Sequence, residues 1–515
     1  MTNSEHDTKG GDGNGDGNGD GNGDGNGDVS GRDTSNDAAP VASGRPLTRR
    51  ERIIRWATGY HSLEWWNEAK ERPSMSMVPL TITAVMVGFG TGIIASYFRV
   101  CLEHAEAWRT TVFGWSQGHG IIGVIVAIVA PAVLAIVGAA MVRHLEPVAE
   151  GSGIPRVEAI VKGNANPTHM RLLPIKFVGG LMSIGGGLAL GRESPSVHLG
   201  ASVATILGRT YRNNRADLRL LIAAGAAAGL TTAFSAPLAG AVFVLEELVK
   251  RFEARMTVAV LSASGAAYSM AHVIVGDDHV FPLPEPAPPR LDNGPFFLVV
   301  GLVAGFAGLL YNRTLMRTLA VVDASTFPVE LRAGMIGAAI GVVGYLGPNL
   351  VGGGDSLTMD ALMGRGTVMV LLGLLILRFI MAIGSYVALT PGGLFAPMLV
   401  LGAELGLIVG LVCHALFPQV APDPSAMAIV GMAALFAASV GAPVTGLVLT
   451  TEMTGAVVLL PPLLGACAAA MFIAVVFKCR PIYDALGLRS ARNVAKNAAA
   501  IEERTQRAMK AEHEQ

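Results

Sequence analysis

The chain has 515 residues, of which 51% are hydrophobic and only 15% charged. A soluble protein of this length is about a quarter charged, so an ordinary soluble fold is excluded. The net charge of −1 identifies no partner, and no nucleic acid is expected. The four cysteines, Cys101, Cys413, Cys467 and Cys479, sit in or beside apolar runs without paired metal spacing. They are expected to be reduced core residues, with no metal site and no cofactor.

Residues 1–45 are polar and carry a GDGN repeat. Such a segment buries too little apolar surface to fold and is expected to be a disordered tail. Asp12, Asn14, Asp16 and Gly17 resemble the start of an EF-hand loop, but the twelfth position is Gly23 rather than Glu, so specific calcium binding is not expected. Residues 46–75 hold Arg49, Arg50, Arg52 and Arg55 with Trp56, Trp65 and Trp66. This suits an amphipathic helix on the cytoplasmic membrane face, with an ordinary solvated helix as the alternative.

Apolar runs follow at 77–97, 121–142, 296–311, 334–345 and 368–377. Several approach the ~20 residues that cross a bilayer as a helix. The 64 glycines and 28 prolines require many short or broken helices, which membranes tolerate only where protein or water covers them. The expected fold is an all-α polytopic membrane protein, a transporter or channel rather than an anchor. Its first membrane repeat is placed at 76–255 and its second at 256–480. Residues 481–515 are expected to form a cytoplasmic helix and tail, with about 35 residues after Arg480 too few for a regulatory module. Positive residues beside the first and last apolar runs, among them Lys478, Arg480, Arg489 and Arg492, place both termini in the cytoplasm. Lys250, Arg251, Arg255, Arg313, Arg317 and Arg332 mark further cytoplasmic loops. The acidic, proline-rich stretch 276–294 belongs on the opposite side.

The two repeats are visible in the sequence itself. Residues 194–201 match 396–403 at Pro195, Leu199, Gly200 and Ala201. Residues 225–246 match 431–452 at Ala236, Pro237, Gly240, Val242 and Glu246. Two matched pairs in one order point to a duplicated unit, and transporters often invert such copies.

Four Gly/Pro-rich helix starts stand out in apolar surroundings: GSGIP (151–155), GRESP (191–195), GGLFAP (392–397) and Arg480-Pro-Ile-Tyr483. Helix N-termini present backbone N–H groups and the positive dipole end, which attract an anion. Across the repeat, Glu193-Ser194-Pro195 matches Phe395-Ala396-Pro397, and an ion could sit between two facing helix starts. A carboxylate there competes with the anion for one site and leaves when protonated, coupling anion occupancy to proton movement. The structural alternative is a Glu193–Arg192 pair or a helix cap. Glu246 and Glu247, just before Lys250, read equally as an inner proton route or as a membrane-edge pair. Glu452, the duplicate of Glu246, reads as structural, His198 as a satisfied packing histidine, Glu404 as a buried hydrogen-bonded group and Asp355 as an N-cap.

In this order the four motifs closely resemble those of the CLC family of chloride channels and proton-coupled chloride transporters, over roughly residues 75–490. GRESP departs from the family's GREGP or GKEGP at Ser194. The resemblance implies a CLC-type fold with two inverted-topology repeats and many tilted, broken helices. It implies that Ser152 and Tyr483 offer hydroxyls, and Leu394 and Phe395 backbone N–H groups, to a central chloride. Arg192, Glu193 and Ser194 would line the outer site, with Glu193 as gate and Glu247 as the inner proton-transfer residue. It also implies a homodimer with one pore per subunit in the cell's inner (plasma) membrane. Both acids favour chloride/proton exchange over a passive channel, and Ser152 favours chloride over nitrate. An enzyme is not expected. No His-Glu-x-x-His occurs, and the single Gly-x-Ser-x-Gly, Gly114 to Gly118, sits in a short interhelical link rather than on a strand-to-helix turn.

Overall fold

The computed structural model describes residues 73–211, 213–276 and 280–495. The GDGN tail, nearly all of the expected helix at 46–75 and the tail beyond 495 lie outside the described residues.

Helices account for every regular element among the described residues. In chain order these are α1 (Met77–Gln117), α2 (Gly120–Leu145), α3 (Ile154–Val161), α4 (Leu172–Gly185), α5 (Glu193–Thr210), α6 (Arg215–Phe234), α7 (Pro237–Phe243) and α8 (Ala254–Val275). They continue with α9 (Gly294–Ala324), α10 (Val329–Leu346), α11 (Asp355–Leu362), α12 (Val368–Tyr386), α13 (Phe395–Leu416), α14 (Pro424–Val440), α15 (Pro443–Thr454) and α16 (Leu460–Val476). A last helix, α17, covers 482–495. Among the described residues nine helices are long and apolar enough to cross a membrane. The windows of α6 and α13 are 89% and 78% buried, against 22% for α2, so α6 and α13 form the centre and α2 faces outward.

The duplication is structural. α1 packs on α8 as α9 packs on α16, and α5 packs on α6 as α13 packs on α14. Small residues make these contacts, as expected where lipid tails are as apolar as leucine and close backbone approach drives association. Gly88 and Gly92 of α1 lie against Ala263 and Ala267 of α8, and Gly301 and Gly305 of α9 lie against Ala466 and Ala470 of α16. Gly200 meets Gly225, and its duplicate Gly402 meets Gly431. The matched glycines of the sequence repeats are therefore the touching residues of the fold. α8, which opens at the boundary placed at 255, packs on α1.

α7 and its duplicate α15 show the inversion directly. Glu246, in the π-helical turn Val244–Val249 that ends α7, accepts from the N–H groups of Val444 (3.0 Å) and Thr445 (2.7 Å) at the start of α15. Glu452, near the end of α15, accepts from Leu238 (3.0 Å) and Ala239 (2.7 Å) at the start of α7. Each carboxylate satisfies the orphan donors of the other helix, so the two run antiparallel about a local two-fold axis. Glu246 thus caps a helix. Glutamine keeps the shape but accepts with only one side-chain atom, leaving one N–H bare. Glu246→Gln and Glu452→Gln are each expected to cost about 1–3 kcal/mol. The measurement is thermal unfolding in detergent, and an unchanged Tm in both variants would refute the reciprocal cap.

Candidate anion-binding site

The segments that open α3, α5 and α13 are stitched together through backbone. Gly191 and Gly393 exchange both hydrogen bonds, each 2.9 Å, in a single antiparallel bridge. Gly151 donates to Thr390 O (3.2 Å) and accepts from Gly392 N (3.1 Å). The starts of α5 and α13 therefore meet, with α3 beside them. Glycine is obligatory here. A side chain on Gly191 would strike the Glu193 carboxylate and come within 3.0 Å of the Ala396 nitrogen, and one on Gly393 would strike Ser194. Gly393→Ala is accordingly expected to separate the two helix starts and abolish transport, a loss read as flux in liposomes from protein that still elutes as a monodisperse species. Retained flux would show that the close approach is dispensable.

The Glu193 side chain is buried and faces the backbone N–H groups of Ala396 and of Glu193 itself. Its Oε2 makes no hydrogen bond. Arg192 pairs instead with Asp355, at 3.6 Å. The expected alternative, a Glu193–Arg192 salt bridge, is therefore not the arrangement found. Nor is Asp355 an N-cap, because Gly354 holds that position and Asp355 opens α11. A narrow recess lined by Glu106, Arg192, Gly353 and Asp355 reaches Glu193 from one side.

Several hydroxyl groups lie near these helix starts. Ser152 is buried, and its Oγ accepts from Ile154 N at 3.2 Å. A serine hydroxyl has one proton to donate, and this contact leaves it available. The Tyr386 hydroxyl lies against the Ser152 backbone N–H. Tyr483 is fully buried, with its ring stacked on Phe395 at 5.9 Å and edge-on to Phe243 at 6.4 Å. Its hydroxyl lies beside that of Ser194, and neither completes a hydrogen bond. Leu394 precedes the first residue of α13, Phe395, where helix N–H groups have no carbonyl a turn earlier. A cavity of about 260 Å³, lined by Glu150, Ser152, Arg156, Tyr386 and Arg489 among others, opens onto Ser152. A narrow recess thus reaches Glu193 and a wider cavity reaches Ser152, while Ser194 and Tyr483 hold unpaired hydroxyls beside the starts of α5 and α13.

Glu247 is 2% exposed. Its Oε1 has no partner, and its Oε2 lies 3.8 Å from Lys250, which also holds both Asp484 oxygens at 3.0 Å. Asp484 follows Tyr483, so the buried acid and the central tyrosine meet through Lys250. Glu158 and Lys162, an ion pair on and just after α3, face the same cluster.

The family model for voltage gated chloride channels matches residues 133–475. The chain belongs to that family. The H(+)/Cl(-) exchange transporter ClcA of Vibrio parahaemolyticus is 33% identical to this CLC chain over 454 residues, covering 87% of it and 97% of that protein. ClcA of Vibrio cholerae is 35% identical over 434 residues, covering 82% and 92%. A solved slow cyanobacterial Cl−/H+ antiporter superposes with a TM-score of 0.77 at 29% identity, over 81% of this chain and 99% of that one. A CLC-type fluoride/proton antiporter, at 21% identity and a TM-score of 0.68, covers 81% of this chain and 99% of its own and shares the fold.

Sequence reasoning missed two buried cations in this CLC chain. Lys176 of α4 donates to the carbonyls of Ala149 (2.9 Å) and Gly151 (2.5 Å), fixing the entry to α3. Arg378 of α12 donates to Leu350, Gly352 and Gly353, holding the loop before α11. The available signal was a lone cation in an apolar helix. Two expectations are corrected. Both Glu404 oxygens and both His198 ring nitrogens are buried without a hydrogen-bond partner.

Proposed function

We propose that this chain exchanges chloride for protons across the cell's inner membrane, with Glu193 as gate and Glu247 as inner proton-transfer residue. The observation that carries the reading is the Glu193 carboxylate lying against the Ala396 N–H, at the meeting point of two duplicated helix starts. A group in that position already behaves as the site's own anion. Chloride takes its place when the carboxylate is protonated and swings out, and the donors of Ser152, Tyr483, Leu394 and Phe395 replace part of the ion's hydration. Arg192 and Ser194 line the outer approach. Glu247 supplies the proton from the opposite side, through a buried acid that a passive channel does not need. The family names of the relatives, H(+)/Cl(-) exchange transporters, support the same reading.

On this reading the chain is a transporter and not an enzyme, its termini are cytoplasmic, and it works as a homodimer with one pore per subunit. The helices of the two repeats supply opposite halves of each pore. The experiment is reconstitution into liposomes with an outward chloride gradient and no proton gradient. Exchange requires protons to move inward as chloride moves out, building a proton gradient that the chloride gradient drives. Chloride flux without proton movement would establish the channel reading in its place.

A further inference from the structure

We propose that a cavity between α9, the 478–481 linker and α17 binds a phosphate group, carried by an acidic membrane lipid or by a soluble phosphate ester. The cavity measures about 280 Å³ and is lined by Arg313, Lys478, Arg480, Arg489 and Arg492, with no carboxylate in its wall. A neighbouring cavity shares Arg489 and Arg492 and adds Arg317 and the carboxylate of Asp323. Arg489 is neutralised, bidentate to Asp323 at 2.7 Å and 3.1 Å from Glu150. Among the described residues, Arg313, Arg317, Lys478, Arg480 and Arg492 form no ion pair, although they crowd one surface. Like charges concentrated in a concave site raise the local potential and draw in an anion with several oxygens to share among them.

The place of the cavity favours the lipid source. α16 is a candidate membrane span through Val476, and Lys478 follows two residues later. Val475, Val476 and Phe477 are 68%, 54% and 43% exposed beside the cationic wall, and half-exposed Leu488 lines it. A headgroup phosphate among the cations would leave its acyl chains against this apolar edge, as juxtamembrane basic clusters do with acidic leaflets.

The cavity also abuts the linker that leads to Tyr483. Asn312 donates to Ser439 O (2.8 Å) and Arg480 O (3.3 Å), and Arg313 donates to Phe477 O (3.3 Å), so α9 already holds the linker that leads to Tyr483. A phosphate bridging Arg313 to Lys478 and Arg492 would stiffen that linker and set how freely Tyr483 moves. This effect on transport rests on the reading of Tyr483 given above, whereas binding does not.

The test uses the full chain and a Lys478→Gln/Arg492→Gln variant, with Lys478→Arg/Arg492→Lys as the charge-preserving control. Each is reconstituted in phosphatidylcholine vesicles, in vesicles with added phosphatidylglycerol, and in phosphatidylcholine with inorganic pyrophosphate. Ligand retained on the protein is read by native mass spectrometry, and chloride flux in parallel. The expected result is phosphatidylglycerol retained several-fold more by the full chain and the control than by the glutamine variant. A phosphatidylglycerol-dependent flux should be lost in that variant alone. Retention of pyrophosphate with the same dependence, and no preference for phosphatidylglycerol, would support the soluble source. Equal retention of both ligands by all three proteins would overturn the site. So would a variant slowed in pure phosphatidylcholine without any change in retention, because the cations would then serve the permeating ion. Charge-dependent binding with flux unaltered would overturn the coupling to Tyr483.

Discussion

Glu193→Gln is expected to uncouple the protein, with proton flux lost and chloride flux retained. Glutamine has nearly the shape of glutamate, so the bridge between Gly191 and Gly393 and the packing of α5 against α13 are preserved. Two properties vanish. The side chain no longer carries a negative charge to contend with chloride at the Ala396 N–H, and it no longer carries a titratable proton. Proton movement against a chloride gradient should fall by about two orders of magnitude, the upper part of the range for coupling between two ligands on one protein. Loss of both fluxes would mean that the carboxylate holds the helix starts together. Undiminished proton pumping would mean that the gate lies elsewhere.

Glu247→Gln is expected to give the same separation by a different route. The acid is buried, with one oxygen unpartnered and the other 3.8 Å from Lys250. Lys250 is held independently by both oxygens of Asp484, so removing the charge at 247 leaves that ion pair, and the position of neighbouring Tyr483, in place. Chloride flux should continue at a comparable rate while proton flux falls about 10- to 100-fold. The measurement is paired chloride and proton recording from the same liposomes. A variant that loses chloride flux in proportion would assign Glu247 a structural role instead.

How much of this was legible in the sequence depends on whether the constraint was local. The repeats could be read because their matched residues, Gly200 with Gly402 and Gly225 with Gly431, are positions where any side chain would strike backbone. Glu193 stands out in the sequence because a carboxylate between apolar runs, beside glycine and proline, is costly, and the structure shows its side chain buried. What escaped were partners distant in the chain. The role of Glu246 is set by α15, nearly two hundred residues later. Arg192 is paired with Asp355 and not with its neighbour Glu193. Lys176 and Arg378 bind backbone carbonyls of loops, which no side-chain pattern announces. The bare carboxylate of Glu404 shows the opposite failure, a group assumed satisfied because it is buried.

The central claim is that the opposed starts of α5 and α13 form one anion site for which the Glu193 side chain competes. Anomalous diffraction from crystals of the protein and of Glu193→Gln, both grown in bromide, tests it most directly. The account predicts a strong bromide peak beside the Ala396 nitrogen in the glutamine protein, and a weak or absent peak there in the unaltered protein near neutral pH. Equal peaks in both, or no bromide at that nitrogen in either, would contradict it.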